Sequence, residues 1–155
     1  MEKATLRIGN TIAEMSKVAE FVEAFAQTHG LARNVVNDMS LCLDELLNNT
    51  ISHGYPDEGR HFISISLSIS PQIEGRALVA ELQDDAEHFD PRRTRARPRS
   101  SDLGRRRPGG LGLRFVNALM DQVDYVRTGE YNQVTLKKTL QPMDAGVQTG
   151  KEVIK

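Results

Sequence analysis

The stretch Asp44–Tyr55, DELLNNTISHGY, decides how this chain is read. It lies in a longer segment, about 32–53, in which Val35, Val36, Met39, Leu43, Leu46 and Leu47 recur at helical spacing. Yet it holds two acids, two asparagines and a histidine. With Glu45 at zero and about 100° of turn per residue, the apolar side chains fall between about 80° and 200°. On the same wheel Asn49 falls near ~40° and His53 near ~80°, so Glu45, Asn49 and His53 make a line one turn apart along the border of the buried stripe. Asp44 and Asn48 lie farther toward solvent. The polar groups therefore form a row at the edge of a core helix, where a cleft can open. A carboxylate and a carboxamide oxygen four residues apart can face one hard cation and a polyphosphate. Magnesium takes oxygen ligands and is commonly held by one or two protein groups plus nucleotide phosphates. Ordinary surface helix residues are the competing reading of the same pair.

Outward from this helix, Thr5–Ile8 alternates as a first strand, and Ile12, Met15, Val18, Val22 and Phe25 recur as a first helix that Gly30 stops. Downstream, FISISLSIS (Phe62–Ser70) sets Ile63, Ile65, Leu67 and Ile69 against serines, a strand with one buried and one polar face. A turn over PQIEGR leads to a second strand, Ala77–Leu82, that pairs as a hairpin and delivers Asp84 and Asp85 at its end. Prolines and glycines then break the pattern until Leu111–Met120 resumes helical spacing. The segments VDYVRT and QVTLKKTL flank a turn at Gly129–Asn132 as a closing hairpin. This order predicts an α+β fold, a two-layer sandwich whose mixed, mostly antiparallel sheet carries helices on one face.

The chain has 155 residues and 39% hydrophobic composition, enough for one compact domain with a core and too little for two. We expect that domain over residues 1–140, followed by a polar tail over 141–155. Formal charge is -1, but Pro91–Arg107 carries eight arginines and one acid, a local +7 that leaves -8 elsewhere. So long a loop in a compact domain is expected to be either functional or disordered. It has no aromatic platforms and the remaining chain is acidic, so direct nucleic-acid binding is not expected. No apolar run of 18 residues and no signal pattern occur, which points to a cytoplasmic protein without a membrane span. The lone cysteine, Cys42, lies among apolar residues and reads as packing.

Two further motifs bear on chemistry. In LQDDAEHFDP, Asp84 closes a strand; a buried carboxylate needs a donor, and the amino group of a purine is one. A turn-forming Asp-Asp pair is the alternative. In PGGLGL (Pro108–Leu113), glycines at a helix start permit close backbone approach, and the free amides there attract phosphate.

Taken together, in this order and at these spacings, the motifs resemble the ATP-binding (Bergerat) domain of the GHKL superfamily, and within it the anti-sigma-factor serine/threonine kinases of bacterial partner switching. ELLNNTISHGY is similar to the family's first box, which implies Glu45 as general base and Asn49 as the magnesium-binding residue. DDAEHFDP is similar to the second, which implies Asp84 as the acceptor for the adenine amino group. RPGGLGLRFVNALMDQVDY resembles the box closing an ATP lid over about 87–110, so Gly110 and Gly112 would approach the phosphates. Thr135, in NQVTLKK, matches a threonine lining the adenine pocket. The resemblance implies ATP and magnesium as ligands and phosphorylation of a STAS-domain antagonist on serine or threonine. It also implies sequestration of a sigma factor or other regulator, and a homodimer. A non-catalytic, nucleotide-dependent binding module of the same fold is the alternative. Two features depart from the pattern: Ala86 stands where the second box has glycine, and the lid is rich in arginine.

Overall fold

The computed structural model describes residues 2–93 and 110–142. Its elements are β1 (Lys3–Gly9), a 3-10 turn (Ile12–Glu14), α1 (Met15–His29), α2 (Arg33–His53), β2 (Phe62–Gln72), β3 (Gly75–Asp84), α3 (Gly110–Leu119), β4 (Gln122–Thr128) and β5 (Tyr131–Leu140). The five strands form one sheet in the order β1-β2-β3-β5-β4, and every neighbouring pair is antiparallel. β3 and β4 run the same way, with β5 between them.

Alternation in β2 sorts the two faces of the sheet. Ile63, Ile65 and Leu67 are fully buried, and their cross-strand partners, Leu6 of β1 and Leu82 of β3 among them, join the same core. Val134 and Leu136 extend that face across β5, and Val35, Met39, Leu43 and Leu47 of α2 pack down on it. The serines point the other way, where Ser66 Oγ meets Thr5 Oγ1 at 3.1 Å. The helices thus cover one face, giving the two-layer α+β sandwich that the patterning predicts; the sheet is antiparallel throughout where a mixed one is expected, because β5 sits between the like-directed β3 and β4.

Helix limits follow local chemistry. Gly30 takes a left-handed φ of 63° and returns its N–H to the carbonyls of Ala26 and Gln27, ending α1. The β2–β3 hairpin is tighter than expected, because β2 continues through Pro71 and Gln72 before a turn at Ile73 and Glu74. Pro71 is tolerated there because β1 pairs only as far as Ser68, so its missing N–H leaves no ladder bond unmade on that side. The β4–β5 turn is also short. β5 begins at Tyr131, which places Asn132 inside the strand, where the sequence reading puts it in the turn.

Candidate functional site

The last turns of α2 carry Glu45, Asn49 and His53 on one border, as the helical wheel places them; Glu45 and Asn49 are half-buried and His53 is exposed. Asn49 Nδ2 donates to Glu45 Oε2 at 3.1 Å, which turns Asn49 Oδ1 away from the acid. The start of α3 comes against this pair. A Cβ built on Gly112 would lie 1.9–2.4 Å from the Glu45 carboxylate, so the absent side chain at 112 is what lets helix and acid meet. Gly110 opens α3 two residues earlier.

Beyond Asn49 lies a cavity of about 140 Å3. Asn49, Thr50, His53 and Gly54 make the α2 wall; Asp84, Ala86 and Asn132 lie opposite, and Glu87, His88 and Phe89 complete the lining. The two walls are stitched by Glu87 N–H donating to Gly54 O at 2.9 Å. Any Cβ at Gly54 would fall 2.7 Å from Thr50 O and 2.9 Å from Ala86 Cβ, so the Ala86 methyl packs directly on glycine backbone.

Asp84 ends β3 on the helix-facing side and is only 7% exposed. Burial pushes its carboxyl above the ordinary aspartate value, against hydrogen bonds from Asn132 and the Ala86 N–H. Both bonds fall on Oδ1: Asn132 Nδ2 at 2.9 Å and Ala86 N at 3.0 Å. Among the described residues Oδ2 accepts none, which leaves that oxygen of a cavity-lining carboxylate for a ligand's donor. Asp85, one residue on, is engaged elsewhere. It meets His61 Nδ1 at 3.1 Å while Asp57 takes His61 Nε2 at 3.0 Å, and these acids, Asp57 foremost, raise the imidazole above its ordinary value.

Asn132 is the residue that sequence reasoning missed. It is 4% exposed and bonds five groups: Asp84 Oδ1, Ala86 O, Glu87 O, the Tyr125 hydroxyl and Arg127 Nη1. Thr135, expected in this pocket, does not line it. Val134 and Leu136 point into the core, so strand alternation turns Thr135 to the opposite face, paired with Glu81 and Asp124. The signal that could have found Asn132 was its own register, an even step from Val134 and Leu136 on the buried face.

The segment leaving β3 is fastened at its root. Asp90 is 8% exposed, and hydrogen bonds from Arg92 hold its carboxyl below the usual range, with Arg92 Nε at 3.0 Å and Nη2 at 2.8 Å. Asn117 of α3 donates to Pro91 O at 3.1 Å. The other expected lid arginines, Arg95 to Arg107, lie outside the described residues, as do residues 143–155 of the expected tail.

A family model described as histidine kinase-like ATPase domain matches residues 8–138, most of the chain and both walls of the cavity. The chain belongs to this ATPase-domain family. It is 26% identical over 132 residues to the serine/threonine-protein kinase BtrW of Bordetella bronchiseptica, covering 85% of this chain and 90% of BtrW. Among solved structures, this ATPase-domain chain resembles the RsbU and RsbW domains of a Mycobacterium tuberculosis protein, with TM-score 0.62, 15% identity, and coverage of 95% of this chain and 35% of that one. A blue-light activated histidine kinase of Erythrobacter litoralis gives TM-score 0.51, 16% identity, and coverage of 84% and 42%. The chain spans less than half the length of either solved relative, and the likeness is one of fold. Among the described residues, no helix is long and apolar enough to cross a membrane.

Proposed function

We propose that the protein is an ATP-dependent protein serine/threonine kinase of the partner-switching kind, which phosphorylates a STAS-domain antagonist and sequesters a sigma factor or other regulator. The observation that carries this reading is the buried Asp84 acceptor at one end of a cavity whose other end is Asn49, with Glu45 one turn beyond and Gly112 packed on it. The name of BtrW, matched along 90% of its length, supports the kinase class. At about 140 Å3 the cavity is small beside the roughly 300–1,000 Å3 of common ligand pockets. It suits a base, with phosphates running out past Asn49 toward the first turn of α3, whose free amides favour anions.

The donor set fits magnesium. Asn49 Oδ1 is freed by the bond its amide makes to Glu45, and among the described residues no three His, Cys, Asp or Glu side chains gather as an all-protein cage. That suits a cation held by one or two protein oxygens and the nucleotide. When bound, magnesium neutralises phosphate charge as the phosphoryl group leaves. In this reading Asn49 holds the metal, Glu45 accepts the proton of the attacking hydroxyl, Asp84 Oδ2 accepts from the purine amino group, and the amides around Gly110 and Gly112 hold phosphate oxygens.

Incubation with magnesium ATP and a STAS-domain antagonist should yield phosphoserine or phosphothreonine, lost in Glu45→Ala and Asn49→Ala. Normal transfer by both variants would sink the assignment. ADP binding without transfer to any STAS-domain substrate favours the non-catalytic module, which remains the second reading because Ala86 occupies the glycine position of the second box.

A further inference from the structure

Asp84 alone could take many orientations that do not present an oxygen to the cavity. The Ala86 N–H holds its Oδ1 at 3.0 Å, and the side-chain amide of a neighbour on another strand holds the same oxygen at 2.9 Å. A carboxamide offers two N–H donors and an oxygen with two lone pairs, and at Asn132 all are used. Nδ2 faces three acceptors, Asp84 Oδ1 at 2.9 Å with Ala86 O and Glu87 O each at 3.1 Å. Oδ1 faces two donors, the Tyr125 hydroxyl and Arg127 Nη1, the latter at 3.0 Å. Rotating the amide by half a turn would set its oxygen against three oxygens and its hydrogens against a guanidinium, so the orientation has no competitor. Arg127 Nη1 also donates to Ala86 O at 2.9 Å, bracing the same carbonyl that Asn132 holds.

We propose that Asn132 is the positioning residue for purine recognition: it occupies Asp84 Oδ1, leaves Oδ2 for the ligand, and ties that acceptor to the root of the segment after β3. This rests on the kinase reading above and adds to it the residue that sets base specificity. Asn132 acts through Asp84, so its removal should change which base is bound more than how tightly nucleotides in general are held. Tyr125 and Arg127 serve the same end by fixing the far side of the amide.

The test uses the full chain and two nucleotides that differ at one group. ADP carries an amino group at the purine six-position, where IDP carries a carbonyl that would face the Asp84 carboxylate. Calorimetry with magnesium ADP and magnesium IDP should show wild type preferring ADP. Asn132→Ala should weaken ADP tenfold or more while IDP changes less than threefold, collapsing the ratio as Asp84→Asn should. An equal loss of both nucleotides by a folded Asn132→Ala, or an unchanged ratio, would overturn the proposal. Should that variant not fold, Tyr125→Phe removes one hydroxyl and leaves Asn132 in place. A fall in the ratio of a few-fold supports the proposal, and an unaltered ratio overturns it. If wild type shows no preference for ADP, the nucleotide reading itself fails, and that result is separate from any variant.

Discussion

The two ends of the cavity are built on different terms. At the Asp84 end, Asn132, Tyr125, Arg127 and the Ala86 and Glu87 backbone form a closed network whose central amide and carboxylate are buried. At the other end, past Asn49, the described side-chain hydrogen bond is the one from Asn49 to Glu45, Gly112 comes close against the acid, and both side chains are half-buried. A satisfied buried network holds one geometry and makes wrong partners costly. A lightly tethered pair keeps the freedom to rearrange around phosphate and an incoming hydroxyl. On the proposed kinase reading, the rigid end would serve selection and the lightly tethered end would serve transfer.

The comparison breaks most sharply at Glu45. Glu45→Ala should lower phosphotransfer by roughly 10²–10⁴-fold, the span of a general base, while ADP affinity measured by calorimetry stays within a few-fold. Parallel loss of binding would mean that the transfer end is as structural as the base end.

Gly112→Ala sharpens the contrast at a smaller scale. Its methyl would occupy the carboxylate's space, and the free end of Glu45 must swing aside. Transfer should fall about tenfold, equivalent to about 1.4 kcal/mol. The melting temperature should hold or rise, because alanine exceeds glycine in a helix by up to about 1 kcal/mol. A large drop in melting temperature would show instead that α3 depends on this contact.

At the base end, His61 braces Asp85 and Asp57 from the outer side of the sheet. Its imidazole is raised in the folded state, so the stabilisation is complete below the unfolded value near 6.5 and is lost as pH rises through the folded one. Wild type should melt slightly lower at pH 9 than at pH 6, and His61→Gln should flatten that slope. An identical slope in the variant removes His61 from the account.

The smallest effect concerns Cys42, three residues before Glu45. Burial foremost, with Asp38 adding to it, pushes its thiol up to about 12. Native protein should resist thiol reagents at pH 8 and react once denatured. Ready labelling of the native chain would mean that the freedom at Glu45 extends into the core of α2.

The residues most legible in the sequence were those whose role follows from period. Alternation in FISISLSIS fixed the faces of the sheet, and the border row of α2 carries Asn49 to the cavity that Asp84 also lines, with Glu45 one turn before it. Thr135 shows where that logic lapsed. It matches by resemblance alone, and the burial of Val134 and Leu136 on either side turns it to the far face. Asn132 was hidden by its residue type, since asparagine beside Gly129 and Glu130 reads as turn. Its pairing with Asp84 of β3 and Arg127 of β4 brings it into the strand. The Gly54–Ala86 contact was equally out of reach, because it depends on the approach of segments 32 residues apart.

The strand order has a kinetic corollary. The β2–β3 and β4–β5 hairpins can each form from neighbouring sequence, but β5 must dock on β3 across the long intervening segment, and that closure is the slow, entropically opposed kind. Asp84 and Asn132 lie on opposite sides of that seam. Ligand added to refolding protein should therefore act after the seam has closed, retarding unfolding while leaving the refolding rate nearly unchanged.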